Sequence, residues 1–215
     1  MIESQFDEAA SADEQERKRI ISELASHPDE TLNVAKQILD GPFKSRWLVA
    51  VQVIRAIGYP SNASALPQLI GQVSDINSAA WQEAVQTLVD MGKDVVVPHL
   101  IQAIWDRGRT NPYWAPAMED ICSMLLSVDR DYAVQCGPTI AYLLGDKQLP
   151  ANLDRSLFLD VLQKISPDCA VYALPSLIDL VHTQETSELH NQIKKLIASF
   201  PNKALEPYKY LLDFK

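Results

Sequence analysis

A proline recurs through this chain, each time beside a short apolar run. The copies read Ala65-Leu66-Pro67-Gln68-Leu69-Ile70, Val96-Val97-Pro98-His99-Leu100-Ile101, Cys136-Gly137-Pro138-Thr139-Ile140 and Ala173-Leu174-Pro175-Ser176-Leu177-Ile178. A weaker copy is Leu205-Glu206-Pro207-Tyr208. The steps between these prolines are 31, 40, 37 and 32 residues. A period of that size marks stacked supersecondary units, each too small to bury its apolar face alone. Proline lacks the N–H that a helix interior needs, but in the first turn that N–H would be unpaired anyway. The repeated prolines therefore predict helix starts.

Between them, apolar residues recur at helical spacing and breakers fall at regular intervals. The pattern predicts a longer first helix in each pair, over 44–57, 78–91, 112–128, 153–165 and 186–200. The second helices are predicted over 63–73, 95–107, 132–144, 170–183 and 203–212. An N-terminal pair is predicted at 11–25 and 30–39. Ser11 with Glu14 three residues on has the form of a capping box. No stretch alternates with period two, so no sheet is expected. The 40- and 37-residue steps predict inserted loops around Arg107–Pro112 and Asp146–Asn152.

Two copies resemble HEAT repeats. One is Trp81-Gln82-Glu83-Ala84-Val85-Gln86-Thr87-Leu88-Val89-Asp90-Met91-Gly92, followed by Lys93-Asp94-Val95-Val96-Val97-Pro98-His99-Leu100-Ile101-Gln102-Ala103-Ile104. The other is Val49-Ala50-Val51-Gln52-Val53-Ile54-Arg55-Ala56-Ile57-Gly58. The resemblance covers about residues 43–212. The Asp and Arg pair carried by many HEAT repeats does not recur regularly here, which leaves other α-solenoids open. The resemblance implies an all-α fold: a right-handed α-α superhelix, a HEAT-like solenoid of about six helical hairpins. It also implies a concave face lined by the second helices, where partners bind. The expected organisation is an acidic, disordered leader over 1–12 and a single repeat domain over 13–215.

The net charge is −9, and it is unevenly placed. Residues 1–16 hold six acids and no base, and 75–131 hold nine acids against four bases. Such an array is a poor match for a polyanion, so a nucleic-acid partner is not expected. Residues 1–10 lack the basic and apolar regions of a signal peptide. No apolar run approaches the ~20 residues of a membrane span. With three cysteines at no metal spacing, buried free thiols in a reducing cytoplasm are the expectation.

No catalytic or metal pattern stands out. His27, His99, His182 and His190 have no ligand-spaced partners, and there is no His-Glu-x-x-His, glycine-rich phosphate loop or nucleophile elbow. No cofactor or metal is expected. Aligning the second helices on their prolines is more informative. Two, three and six residues after the proline the columns are apolar and predict the core. One, four, seven and eight residues after it they are polar and predict an exposed stripe. That stripe nominates His99, Gln102, Trp105, Asp106, Tyr142, Asp146 and Asp179 as a partner-binding surface. Aromatics dominate interface hot spots, which favours Trp105 and Tyr142 as anchors, although Trp105 could equally fold over its neighbouring repeat. Asp75, Asp106 and Asp146 share a column eight residues after the proline. They read first as turn caps and second as an acidic ladder. A carboxylate at a helix C-terminus is disfavoured, so each calls for a compensating hydrogen bond or partner.

The expected function is a non-enzymatic protein-binding scaffold or adaptor whose partner is a basic protein. A narrower version, by analogy with small acidic HEAT-like proteins, is an immunity protein that neutralises a bacterial toxin. The rival class is a HEAT-like enzyme, a lyase or a DNA glycosylase. The glycosylase version asks for tryptophan, aspartate and arginine in a basic groove. Trp105-Asp106-Arg107-Gly108-Arg109 supplies the residue types without the basic surroundings.

Overall fold

Burial of one apolar stripe per helix dominates the structure, and no strand occurs among the described residues. The computed structural model describes residues 2–71, 78–110, 115–134, 137–146, 155–165, 170–183 and 188–212. For 104–110, 115–120, 122, 132–133, 157, 161, 164–165 and 170 it describes the backbone only. The helices group into two compact units, Met1–Ala103 and Ile104–Lys215.

The first unit begins with α1 (Ile2–Ser11), α2 (Glu14–Ala25) and α3 (Pro28–Asp40). A 3-10 turn over Lys44–Arg46 leads into α4 (Trp47–Ile57). Another over Ala63–Ala65 leads into α5 (Leu66–Gly71). Then come α6 (Ala79–Met91) and α7 (Lys93–Thr110), inside which the division between the units falls. Helix α4 is apolar on almost every face, as suits a helix with neighbours on several sides. It packs on α1, α2, α3 and α6, and Val49, Ala50, Val51, Val53 and Ile54 are all buried. Across its last turn, buried Asn62 donates from Nδ2 to the Ile54 carbonyl at 2.9 Å. Arg55 leaves α4 to grip α6, with Nη1 2.9 Å from Glu83 Oε1 and Nε 2.7 Å from Asp90 Oδ2.

Residues 2–11, expected as a disordered leader, instead form α1. Ile2, Phe6 and Ala9 fall on one helical face, and Phe6 and Ala9 are fully buried. So few apolar residues among so many acids give no visible period, yet burial of Phe6 and Ala9 gives the short helix an apolar face to dock by. Arg46 ties the acids of α1 to the body, with Nε 2.7 Å from Asp7 Oδ1 and Nη1 3.5 Å from Glu3 Oε1. Arg17 donates to the carbonyls of Ala9 and Ala12 at 3.0 Å each and closes the C-terminal end of α1. The cap of α2 is Asp13, whose carboxylate accepts from the Glu16 N–H at 2.9 Å, rather than Ser11. The Ser11 hydroxyl bonds back to Asp7 and Glu8 carbonyls because α1 holds it.

The second unit contains α8 (Ala115–Val128), the single turn α9 (Arg130–Ala133), α10 (Gly137–Gly145), α11 (Ser156–Ile165), α12 (Ala170–Thr183), α13 (Glu188–Ala198) and α14 (Asn202–Leu205). It closes with a 3-10 segment, Glu206–Leu211. Helix α11 packs on α8 and α13, and α12 packs on α10 and α13. The predicted helix 132–144 is matched by the end of α9 and by α10, and residues 135–136 between them lie outside the described residues. Pro67, Pro138 and Pro207 stand at the second position of their helices, as first-turn prolines should. Pro98 and Pro175 do not: both lie inside longer helices, α7 and α12. Residues 93–97 and 170–174 extend those helices forward, so each ring removes one interior hydrogen bond. The loop predicted from Arg107 begins later, because α7 runs to Thr110. The rest of that loop, residues 111–112, and most of the second, residues 147–152, lie outside the described residues.

Candidate functional site

Within each unit most positions of the predicted core columns are buried, although Ile101 is only half-buried. Leu69, Ile70, Leu100, Ile140, Ala141, Leu144, Leu177, Ile178 and Val181, from the predicted core columns, are all buried. In the first unit, His99 and Gln102 are exposed on α7. Trp105 and Asp106 continue the α7 backbone, but their side chains lie outside the described residues, as do Asp75, Trp114 and the cysteine side chains.

The second unit brings three of the nominated residues together. Tyr142 and Asp146 from α10 and its C-terminal end, and Asp179 from α12, line one cavity of about 590 Å³. Tyr142 and Asp179 each stand four residues after their proline, and Asp146 lies one turn beyond Tyr142. Residues four apart share a helix face, so the spacing in sequence becomes a shared wall in space. Tyr142 is 52% exposed. Asp179 is also exposed, whereas Asp146 is only 8% exposed, contrary to its placement in an exposed column. Ala141, Pro175 and Leu180 add apolar lining, and Ser176 and Thr183 of α12 line it as well. The Thr183 hydroxyl donates to the Asp179 carbonyl at 2.8 Å.

Asp146 is buried because the chain end of α10 is closed by an arginine that the column alignment misses. Arg155 donates from Nη1 to the Leu144 carbonyl at 2.7 Å and from Nη2 to the Asp146 carbonyl at 2.9 Å. A cation at a helix C-terminus satisfies orphan carbonyls and opposes the negative end of the helix dipole. The compensation that an aspartate at this position calls for is thus supplied on the backbone beside it. The signal in sequence is a basic residue following the loop after an acid-ended helix, too common a pattern to single out. Arg155 is not among the residues that line the cavity.

Asp179 also borders a second cavity of about 250 Å³, shared with Pro175, Ile178, His182, Tyr208 and Leu211. There His182 Nε2 lies 2.7 Å from the Leu211 carbonyl oxygen and holds the C-terminal 3-10 segment against α12. Among the described residues, no three His, Cys, Asp or Glu side chains come together as a metal ion would need. No helix of the described residues is long and apolar enough to cross a membrane. No protein-family model matches the sequence, and no curated protein matches it.

Proposed function

We propose that this chain is a non-enzymatic protein-binding scaffold, a HEAT-like α-solenoid that presents the polar columns of its proline-bearing helices to a basic protein. The observation that carries this reading is the cavity where Tyr142, Asp146 and Asp179 converge. Its lining joins an exposed aromatic to two aspartates and several apolar residues, a combination that suits a cationic protein surface. The solenoid part of the reading draws support from packing within each unit. Alternate helices pack there, α4 on α2 and α6 in the first and α11 on α8 and α13 in the second, as stacked hairpins would. An immunity protein facing a basic toxin is a special case of the same reading.

The test is affinity capture with the full-length chain against the double variant Tyr142→Ala/Asp179→Ala, both positions being exposed and replaceable without loss of core. The wild type is expected to retain a basic protein that the variant loses at least about tenfold, since truncating an interface anchor costs roughly 1–2 kcal/mol or more. Equal recovery by the two chains, or recovery of no basic protein, overturns the reading.

A further inference from the structure

We infer that residues 202–212 form a hinged strap across α12, which covers part of that helix when closed and opens as a unit while the rest of the second unit stays folded. The strap is a property of the fold by itself. Its regulatory consequence rests on the protein-binding reading above.

Four observations converge on it. The first is the contrast in anchorage on the two sides of Pro201. Helix α13 buries His190, Ile193, Leu196 and Ile197, and Phe200 after it is only 3% exposed. Beyond Pro201, α14 and the 3-10 segment contain no buried residue. Ala204, Leu205, Tyr208, Leu211 and Leu212 are half-buried and the others are exposed. Apolar burial is what fixes a segment against a fold, so the chain is pinned up to Phe200 and lightly held after it. The second is packing: α14 and the 3-10 segment pack chiefly on each other rather than on a helix of the body. The third is the hinge. Proline cannot continue α13, because its nitrogen carries no hydrogen, and Pro201 has an extended ψ of 136° where the chain turns. The fourth is a clasp ten residues beyond the hinge. The Leu211 carbonyl can only accept, so His182 Nε2 donates to it, at 2.7 Å.

The strap closes over a defined part of α12. Tyr208 and Leu211 share the cavity of about 250 Å³ with Pro175, Ile178, Asp179 and His182. Pro175 and Asp179 also line the cavity of about 590 Å³. Swinging the strap away removes one wall of the smaller cavity and joins the two into one open face along α12. It also lays bare Ile178, which is 2% exposed with the strap closed. A partner that takes this face must displace the strap, so its apparent affinity falls with the fraction of chains in which the strap is closed.

Native-state hydrogen exchange of the full-length chain tests the hinge. The Ala204 and Leu205 amides donate to the Pro201 carbonyl and the Leu212 amide to that of Lys209. A piece this short keeps no helical hydrogen bonds once detached, so each opening exposes all three. After correction for intrinsic rates, the three are expected to exchange within about threefold of one another, and at least about a hundredfold faster than the amides of 193–197. His182→Ala should speed all three by about fivefold, the effect of one hydrogen bond, and His182→Gln, which keeps a donor, should restore part of the protection. A soluble paramagnetic probe tests the cover. In Tyr208→Ser/Leu211→Ser, with circular dichroism unchanged from wild type, relaxation of the Ile178 methyl should rise at least about threefold. Exchange of the strap together with α13, rates graded along the segment as in simple fraying, or an Ile178 methyl indifferent to the double variant overturns the inference. The capture assay separates this from the scaffold reading. More basic protein on the opened double variant than on wild type supports regulation by the strap, and equal recovery overturns regulation while the scaffold reading stands. If no chain retains a basic protein, the scaffold reading falls and with it the regulatory role, while exchange and relaxation still decide the strap.

Discussion

Single residues close helix ends here, and their cost when removed can be stated. Arg155 bridges the last carbonyls of α10, so Arg155→Ala leaves both carbonyls to water and loosens one wall of the cavity. A loss of about 1–3 kcal/mol is expected, the usual range for a hydrogen bond from a charged donor, and denaturant unfolding measures it. Gly58 and Gly92 end α4 and α6 with φ of +75° and +91°. No atom outside the local chain crowds either position, so the cost of a side chain there is conformational. Gly92→Ala should therefore destabilise by roughly 1–3 kcal/mol although the site has room; an unchanged denaturation midpoint would show that the turn relaxes. Glu14 is held below the ordinary glutamate range first by the hydrogen bond from Lys18, and Glu16 first by that from Arg19. A lowered carboxylate stabilises the folded chain above its unfolded value, and that support is lost as pH falls through the folded one. The effect belongs below the ordinary glutamate range and is small, because both groups are exposed. Carboxyl 13C titration should place both midpoints low, and Lys18→Ala should return Glu14 toward its ordinary value.

At the scale of elements, α1 tests how far a small apolar face, Phe6 with Ala9, can order an acidic segment. Phe6 is fully buried among α1's neighbours, so Phe6→Ala should cost about 3–5 kcal/mol if α1 stays docked and leaves a cavity. If α1 undocks instead, the cost is smaller and the amides of 2–11 exchange freely, so hydrogen exchange distinguishes the two outcomes. Between α4 and α6 the join is electrostatic at its edge, where Arg55 meets Glu83 and Asp90. Both carboxylates raise the pKa of Arg55, Glu83 first. The Arg55 side chain is 36% exposed, so a double-mutant cycle with Glu83 should return no more than about 1 kcal/mol. Helix existence was legible in the sequence almost throughout, from α2 at Glu14–Ala25 to α12 at Ala170–Thr183. The main miss is α1: the helix over 2–11 is decided by burial of Phe6 and Ala9, not by local propensity.

For the whole molecule, the sequence carries nine more acids than bases. Binding of a basic partner should therefore weaken as salt rises, and more in its association rate than in its dissociation rate. Stopped-flow or surface-based kinetics between low and physiological salt measure both rates. An association rate indifferent to salt would remove electrostatic attraction from the binding reading.

The recurring proline and the apolar columns behind it are determined by sequence alone, because helical period and helix breaking are local properties of the chain. They were enough to predict an all-helical protein and to choose which side of α10 and α12 would be polar. Only tertiary structure decided that Tyr142, Asp146 and Asp179 share one cavity, since residues 37 positions apart meet only when α10 packs on α12. Burial of Asp146 beside the Arg155 clamp, and docking of Phe6 beneath an acidic surface, have the same origin. Each depends on what the rest of the fold places against a residue, and no local pattern encodes that.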